Sequence, residues 1–184
     1  MDFPGSWSPN GRTVAFTRCN LASPGEPGLV EPHRDVYEVS SDGSGLGRLA
    51  ERGGQPAFSP DGHRIAFVSN RDQHGEHATG SDEAAFSNEL YVMDADGQNQ
   101  RRLTETESLD ETSPSWSPDG SRIVYARTGP ARFQEQLMVV NADGTCSTLL
   151  IGAAAVTHIG APSFEWPSWR PGRLTRELAP LVCR

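Results

Sequence analysis

The sequence predicts an all-β protein built from repeated four-stranded antiparallel units. Three observations support this prediction: a turn motif that recurs along the chain, a β-favouring triplet at a fixed distance after each turn, and an excess of turn residues. The 184 residues include 19 glycines and 14 prolines, which interrupt chains that turn often. The length is sufficient for one domain with a sizeable core.

A turn motif marks the first hairpin of each unit. Ser-Pro followed by Asn-Gly or Asp-Gly occurs at residues 8–11, 59–62 and 117–120. Three residues after each glycine begins a β-favouring triplet: Val14-Ala15-Phe16, Ile65-Ala66-Phe67 and Ile123-Val124-Tyr125. Proline presets φ for a tight turn, Asp or Asn bonds the following backbone, and glycine adopts positive φ without steric cost. The motif therefore predicts a strand A, a tight turn and a strand B.

A second hairpin follows each first one. Its first strand begins seven residues before the glycine of a further Asp-Gly pair, and a leucine follows six residues after that glycine. The pairs are Asp42-Gly43, Asp96-Gly97 and Asp143-Gly144. Each unit thus has four antiparallel strands, A to D, with tight turns at A–B and C–D.

The predicted units cover about residues 3–50, 55–104 and 113–151. A four-stranded unit of ~50 residues is typical of a β-propeller blade, whereas a generic β-sandwich does not require the same turn at the same place three times. Residues 162–169 match strand A of a fourth blade, because Trp169 lies 53 residues after Trp116. The propeller would then occupy residues 1–172, followed by a C-terminal tail at 173–184.

The motifs resemble those of a known family. Residues 116–125 read Trp-Ser-Pro-Asp-Gly-Ser-Arg-Ile-Val-Tyr, residues 90–97 read Leu-Tyr-Val-Met-Asp-Ala-Asp-Gly, and Arg-Leu-Thr follows at 102–104. Together they resemble the TolB-type β-propeller repeat, a Pro-Asp-type repeat, from about Ser6 to Trp169. Asn10 replaces Asp in the first blade, and Leu149-Leu150-Ile151 replaces Arg-Leu-Thr in the third. The resemblance implies six blades in a full propeller. Three blades plus one extra strand are therefore half of a six-bladed ring, completed by a homodimer, or a fragment of a larger propeller.

Charge and composition restrict the partners. The formal net charge of −8 argues against nucleic acid or an anionic membrane surface as a partner. No stretch approaches the ~20 apolar residues of a membrane span, and residues 1–5 show no signal-peptide pattern. The resemblance implies a periplasmic or extracellular bacterial protein, with the cytoplasm as the alternative.

The three cysteines allow one disulfide and one free thiol. We expect either a bond between Cys146 and Cys183, which would hold the tail over the last blade, or three reduced thiols. The repeated aromatic position is expected to pack between blades, and the turn aspartates are expected to be structural. The aromatic residues are Trp7, Phe58, Trp116 and Trp169.

The candidate partner-binding residues lie in two acidic segments. Tight A–B and C–D turns share one face of a propeller, so the long irregular segments share the other, where binding residues are common. An acidic surface there would steer a basic protein or peptide partner. The residues are Asp72, His74, Glu76, His77, Glu105, Glu107, Asp110 and Glu111. Their spacing matches neither a rigid zinc motif nor a calcium loop, so no metal and no cofactor is predicted.

Catalytic motifs are missing from the sequence. It contains neither a Gly-x-Ser-x-Gly elbow nor a glycine-rich phosphate loop between a strand and a helix. The leading hypothesis is therefore a TolB-like module for protein–protein interaction without catalytic residues. The alternatives are a metal-dependent propeller enzyme, such as a lyase or hydrolase, and the propeller portion of a prolyl-oligopeptidase-like peptidase.

Overall fold

The computed structural model describes residues 1–20, 33–72, 88–106, 109–128 and 135–151. These residues form three four-stranded antiparallel sheets, in which the strands follow one another in chain order. Blade 1 contains β1 (Asp2–Trp7), β2 (Thr13–Asn20), β3 (His33–Ser40) and β4 (Gly47–Ala50). Blade 2 contains β5 (Gly53–Phe58), β6 (Arg64–Ser69), β7 (Glu89–Asp94) and β8 (Arg101–Arg102). Blade 3 contains β9 (Asp110–Trp116), β10 (Arg122–Thr128), β11 (Glu135–Asn141) and β12 (Thr148–Ile151). The predicted all-β fold with four-stranded blades is confirmed.

The tight turns form as their sequences predict. In the A–B turn of blade 2, the Gly62 N–H donates to the Ser59 carbonyl at 2.9 Å. The Asp61 carboxylate accepts from the His63 N–H at 3.0 Å, and the same arrangement recurs in the other turns. The glycines of all six turns have positive φ between 69° and 85°: Gly11, Gly43, Gly62, Gly97, Gly120 and Gly144. Such angles favour glycine because it has no β-carbon.

A β-bulge interrupts the innermost strand of each blade. In blade 3, Ser113 and Pro114 together lie opposite Tyr125 of β10. Proline cannot donate to a strand ladder, and a bulge removes it from the pairing. Pairing resumes beyond the bulge, so β5 and β9 begin at Gly53 and Asp110, ahead of the predicted starts at residues 55 and 113.

Two apolar cores lie between neighbouring blades. The core between blades 1 and 2 contains Ala15, Val36, Leu49, Ala50, Ile65, Phe67, Tyr91 and Met93. The core between blades 2 and 3 contains Ala66, Leu90, Val92, Leu103, Trp116, Ile123, Tyr125, Met138, Val140 and Ala142. Burial of one large aliphatic or aromatic side chain stabilises the fold by ~1.5–3 kcal/mol. The blades therefore pack face to face, which brings their loops to a common side.

The repeated aromatic position behaves differently in the first blade. Trp116 is buried between blades 2 and 3, and its indole N–H donates to the Ala57 carbonyl at 2.9 Å. Phe58 packs against the core between blades 1 and 2. Trp7, by contrast, is 59% exposed. The expectation of packing between blades is thus wrong for Trp7 in the described part of the chain, because no described blade precedes it.

Several expectations concern residues outside the described ranges. Cys146 is disulfide-bonded and Cys19 carries a free thiol, but the expected partner, Cys183, lies outside the described residues. The same holds for Trp169, the extra strand at 162–169 and the tail at 173–184. Among the described residues, no helix is long and apolar enough to span a membrane.

Candidate functional site

The candidate site lies on the loop face, which we define as the side formed by the ends of strands B and D and the starts of strands A and C. Four predicted partner-binding residues are described there: Asp72, Glu105, Asp110 and Glu111. The other four lie outside the described residues: His74, Glu76, His77 and Glu107.

The structure separates the four described residues into two groups. Asp72 and Glu105 are exposed, although Asp72 also accepts a hydrogen bond from the Tyr91 hydroxyl. Asp110 is half-buried and accepts from the Asn88 backbone N–H at 2.9 Å and from its side-chain Nδ2 at 2.7 Å. Glu111 is completely buried. Two of the four carboxylates therefore face solvent, and the other two connect blade 3 to blade 2.

Glu111 forms a buried pair with Glu89, the first residue of β7. Glu89 is 5% exposed, and its Oε2 lies 2.7 Å from the Thr104 hydroxyl. Oε2 of Glu111 lies within hydrogen-bonding distance of the same hydroxyl. The backbone adds a direct connection, because the Glu111 N–H donates to the Asn88 carbonyl at 2.9 Å.

The Thr104 hydroxyl restricts the protonation of this pair. It already accepts a hydrogen bond from the Leu90 N–H at 2.9 Å, and it has a single hydrogen to donate. It can therefore donate to one of the two carboxyl groups only. The other carboxyl must carry a proton of its own to bond the hydroxyl, so the geometry favours one shared proton at this junction.

Each carboxyl group also has its own arginine. Arg102 Nη2 lies 2.8 Å from Glu89 Oε1, and Arg127 Nη2 lies 3.1 Å from Glu111 Oε1. The Thr106 N–H also donates to Glu89 Oε1 at 2.7 Å. Glu111 also accepts from Arg127 Nε at 3.2 Å and from the Thr106 hydroxyl at 3.1 Å, so the two carboxyl groups accept equally many hydrogen bonds. Glu89, however, has the shorter arginine contact and a backbone N–H donor, and both favour its carboxylate form.

The pKa values of the pair move in opposite directions. Burial raises the pKa of Glu111 to about 7, and the neighbouring Glu89 adds to this effect. Burial alone would raise the pKa of Glu89 as well. Hydrogen bonds from Glu111, Thr104 and Thr106, with the charge of Arg102, bring it below its ordinary value. Glu111 is therefore the group that holds the shared proton.

Opposed pKa values can indicate a catalytic acid and base, but burial argues against that role here. Glu111 has no exposed surface and Glu89 has 5%, so a substrate cannot reach either carboxyl group. Their partners come from both sides of the junction between blades 2 and 3. The pair therefore acts as a polar connection between blades.

A related buried acid occurs in blade 1. Asp35 occupies the same repeat position as Glu89 and is completely buried. It accepts hydrogen bonds from Asn20 Nδ2 at 2.7 Å and from the Arg52 N–H at 2.9 Å, with Arg48 Nη1 at 3.6 Å. Neither Asp35 nor Glu89 was singled out from the sequence. The signal that could have identified them is an acid directly before the apolar run of strand C in two successive repeats.

The turn aspartates lie on the opposite face and have structural roles, as predicted. Asp119 accepts from the Ser117 hydroxyl and from the N–H and hydroxyl of Ser121. These hydrogen bonds lower the pKa of Asp119 to about 2. Among the described residues, no group of three or more His, Cys, Asp or Glu side chains could hold a metal ion.

Comparisons with known proteins agree with the architecture. A family model described as a TolB beta propeller domain matches residues 4–161. The Tol-Pal system protein TolB of Nitrosomonas europaea is 44% identical over 70 residues, which cover 34% of this chain and 16% of that protein. The uncharacterized peptidase YuxL of Bacillus subtilis is 29% identical over 119 residues, which cover 64% of this chain and 16% of that protein.

A solved structure shares the fold. The structure assigned as TolB from Agrobacterium tumefaciens superposes with a TM-score of 0.64 at 20% identity, covering 83% of this chain and 50% of that one. The chain therefore spans about one sixth of the length of these two curated relatives and half of this solved structure.

Proposed function

The chain belongs to the TolB β-propeller family, and from this premise we propose that it is a non-catalytic module that binds a basic protein or peptide through its loop face. The observation that carries the proposal is the division of the loop-face carboxylates. Glu89 and Glu111 are sealed between blades, whereas Asp72 and Glu105 remain exposed to a partner.

The acidic segments define the chemistry of the proposed partner. Residues 71–83 and 104–112 carry an excess of carboxylates in a chain of net charge −8, and such a surface attracts cationic partners. The proposed contact residues are Asp72, His74, Glu76, His77, Glu105 and Glu107. Asp110 and Glu111 support the same face from beneath, through their contacts with blade 2.

Kinship with a protein of the Tol-Pal system supports a periplasmic or extracellular setting in bacteria for this proposed role. The proposed partners also include a second copy of the chain, which would complete a ring of six blades. A second candidate function is the propeller portion of a larger prolyl-oligopeptidase-like peptidase, and the similarity to YuxL favours it.

The test measures binding of an arginine-rich decapeptide at low salt, by fluorescence anisotropy. We expect the Asp72→Asn/Glu105→Gln variant to bind roughly fivefold or more weakly, because it removes two charges from the loop face. The matched control is Asp96→Asn/Asp143→Asn, which removes two exposed charges from the opposite turn face. Asparagine keeps the turn acceptor there, as Asn10 does in blade 1.

Equal effects of the two double variants would contradict loop-face binding. Mass spectrometry of the peptide after incubation addresses catalysis separately. Cleavage by the purified chain would overturn the non-catalytic role.

A further inference from the structure

Blade 1 exposes the face that blades 2 and 3 bury against a preceding blade. This front face consists of Trp7, Val14, Phe16, Tyr37 and Val39. At the same repeat positions, blade 2 has Phe58, Ile65, Phe67, Tyr91 and Met93, of which the last four are at most 3% exposed. In blade 1, by contrast, Trp7 is 59% exposed and Val14, Tyr37 and Val39 are only half-buried. Phe16 is the buried member of this face, at 9% exposure, with the Arg18 guanidinium over its ring. The front face of blade 1 is therefore built like a junction surface.

Blade 3 exposes a complementary surface on its outer strand. Leu49 in blade 1 and Leu103 in blade 2 share one repeat position, and both are buried against the following blade, at 9% and 8% exposure. The equivalent residue in blade 3, Leu150, is 49% exposed, and Ile151 beside it is 42% exposed. The chain thus presents one half of a blade junction at each end of its described arc.

The turn glycines show that the same contact is made at both described junctions and is left unmade by blade 1. A β-carbon on Gly97 would lie 2.8 Å from the Leu49 carbonyl oxygen, and one on Gly144 would lie 3.3 Å from a Leu103 methyl group. The C–D turns of blades 2 and 3 therefore pack on the leucine of the preceding blade. Gly43, the equivalent glycine in blade 1, has no such neighbour within 4 Å. Leu150 occupies the repeat position of Leu49 and Leu103, so it is the residue that would contact Gly43 if blade 3 packed on blade 1.

The A–B turns show a second contact of the same kind, between a turn glycine and a proline of the preceding blade. A β-carbon on Gly62 would lie 3.3 Å from Pro9, and one on Gly120 would lie 3.4 Å from Pro60. Gly11 of blade 1 has no such neighbour within 4 Å. Its counterpart by repeat position is Pro118. The prolines at this repeat position are exposed in all three blades, so the open half of this contact is shown by Gly11 and not by the exposure of Pro118.

The charged groups at the front face fit the same arrangement. Asp2 and Arg18 form an ion pair at 2.8 Å, at the repeat positions of Glu111 and Arg127. Glu89 of blade 2 lies beside the Glu111–Arg127 pair. The residue at the repeat position of Glu89 in blade 3 is the neutral Gln136. A blade 3 packed on blade 1 would therefore bring no second carboxylate to the Asp2–Arg18 pair.

We propose that blade 3 of a second copy packs on the front face of blade 1, with Leu150 against Gly43 and Pro118 against Gly11. This inference rests on the part of the proposed function that names a second copy as a partner, and it is independent of peptide binding. Two chains of three blades each would form a closed ring with two identical junctions, within the four to eight blades of known propellers. Closure would also cover the exposed apolar residues and strand edges, which otherwise favour aggregation.

The first test is the mass of the 184-residue chain in solution, by light scattering across a dilution series. We expect about twice the 19.9 kDa of one chain. A compact particle of 19.9 kDa at all concentrations would overturn the inference. A monomer would instead favour the strand predicted at residues 162–169, strand A of a fourth blade, as the segment that covers Leu150 and Ile151.

Two adjacent substitutions test the contact itself. Leu150→Arg introduces a charge at the proposed junction, and we expect it to shift dissociation to at least tenfold higher concentration. Leu149→Arg is the matched control, because Leu149 is equally exposed at 48% but occupies the repeat position of Arg48 and Arg102. Equal effects of the two substitutions would refute the proposed contact.

A mixing experiment tests the head-to-tail arrangement. Trp7→Arg and Leu150→Arg are each expected to be monomeric at a concentration where the unmodified chain is dimeric, with circular dichroism confirming the fold. Mixed together, they can form one junction between the intact Trp7 of one chain and the intact Leu150 of the other. Dimer recovered on mixing, without dimer in either variant alone, supports the arrangement, and its absence argues against it. Unchanged peptide binding by the monomers would show that the loop-face proposal stands independently.

Discussion

At the scale of single residues, the side chains of the loop face divide according to burial. Asp72 and Glu105 face solvent, whereas Glu111 has no exposed surface and shares the Thr104 hydroxyl with Glu89. The turn residue Asp119 could be predicted from its motif, because its partners lie two residues away on either side. The partners of Glu111 could not, since they come from β10 and from the segment that follows β8. Glu111 was predicted to lie in an irregular acidic segment, but it lies in the first part of β9.

We expect Glu111→Gln to change how stability depends on pH. The pKa of Glu111 is about 7 in the folded chain, against an ordinary value of 4.5. The folded state therefore binds the proton more tightly, and this contribution to stability is full below pH 4.5 and is lost as pH rises through 7. The lowered pKa of Glu89 acts only below its ordinary value of 4.5, outside this interval.

Urea unfolding at pH 5 and pH 8 measures this difference. Relative to Glu111→Gln, the unmodified chain should lose roughly 1–3 kcal/mol of unfolding free energy between the two pH values. A glutamine at position 111 keeps an oxygen that can accept from Arg127 and an N–H that can donate toward the Glu89 carboxylate. The exposed variant Glu105→Gln should follow the unmodified chain, and parallel profiles for all three proteins would argue against the shared proton.

At the scale of strands and turns, the junctions between blades repeat a small set of contacts. A turn glycine packs on the preceding blade at Gly97 and Gly144, and the bulges of β5 and β9 place Pro56 and Pro114 outside the ladder. The tight turns were predictable because Asp-Gly and Asn-Gly specify them locally. The bulges were not, so the starts of β5 and β9 were predicted too late along the chain.

The pair Gly97→Ala and Gly43→Ala separates backbone strain from packing between blades. Both glycines have a φ of 85°, so each substitution should lose about 1–2 kcal/mol from the left-handed backbone alone. Gly97→Ala should lose more, because its β-carbon would meet the Leu49 carbonyl at 2.8 Å, whereas Gly43 is open. Chemical denaturation in the Leu150→Arg background, where Gly43 is expected to remain uncovered, makes the comparison. Equal losses would mean that the Gly97 turn yields without cost to the junction.

At the scale of the whole molecule, the three described blades expose apolar residues at both ends of the series. The core between each pair of blades is complete, whereas Trp7 at one end and Leu150 and Ile151 at the other remain exposed. The proposed closure by a second copy would link folding to association, so the stability of the chain should depend on its concentration.

Thermal unfolding followed across a hundredfold range of chain concentration tests this link. We expect the midpoint to rise with concentration for the unmodified chain, because mass action favours the associated, folded state. The midpoint of the Leu150→Arg variant should rise less over the same range, because the variant associates more weakly. A midpoint that is independent of concentration in both proteins would contradict closure by a second copy.

The sequence by itself determined the blade fold, the tight turns and the structural role of the turn aspartates. These features depend on residues that are neighbours in the chain, so a short motif specifies them completely. Only the tertiary structure decided which polar groups are buried and which blade surfaces remain open. Those properties depend on contacts between blades, such as the hydrogen bond between Trp116 and Ala57 across 59 residues of sequence. Whether Trp7 is packed or exposed depends on a neighbouring blade, and the local sequence around Trp7 carries no information about it.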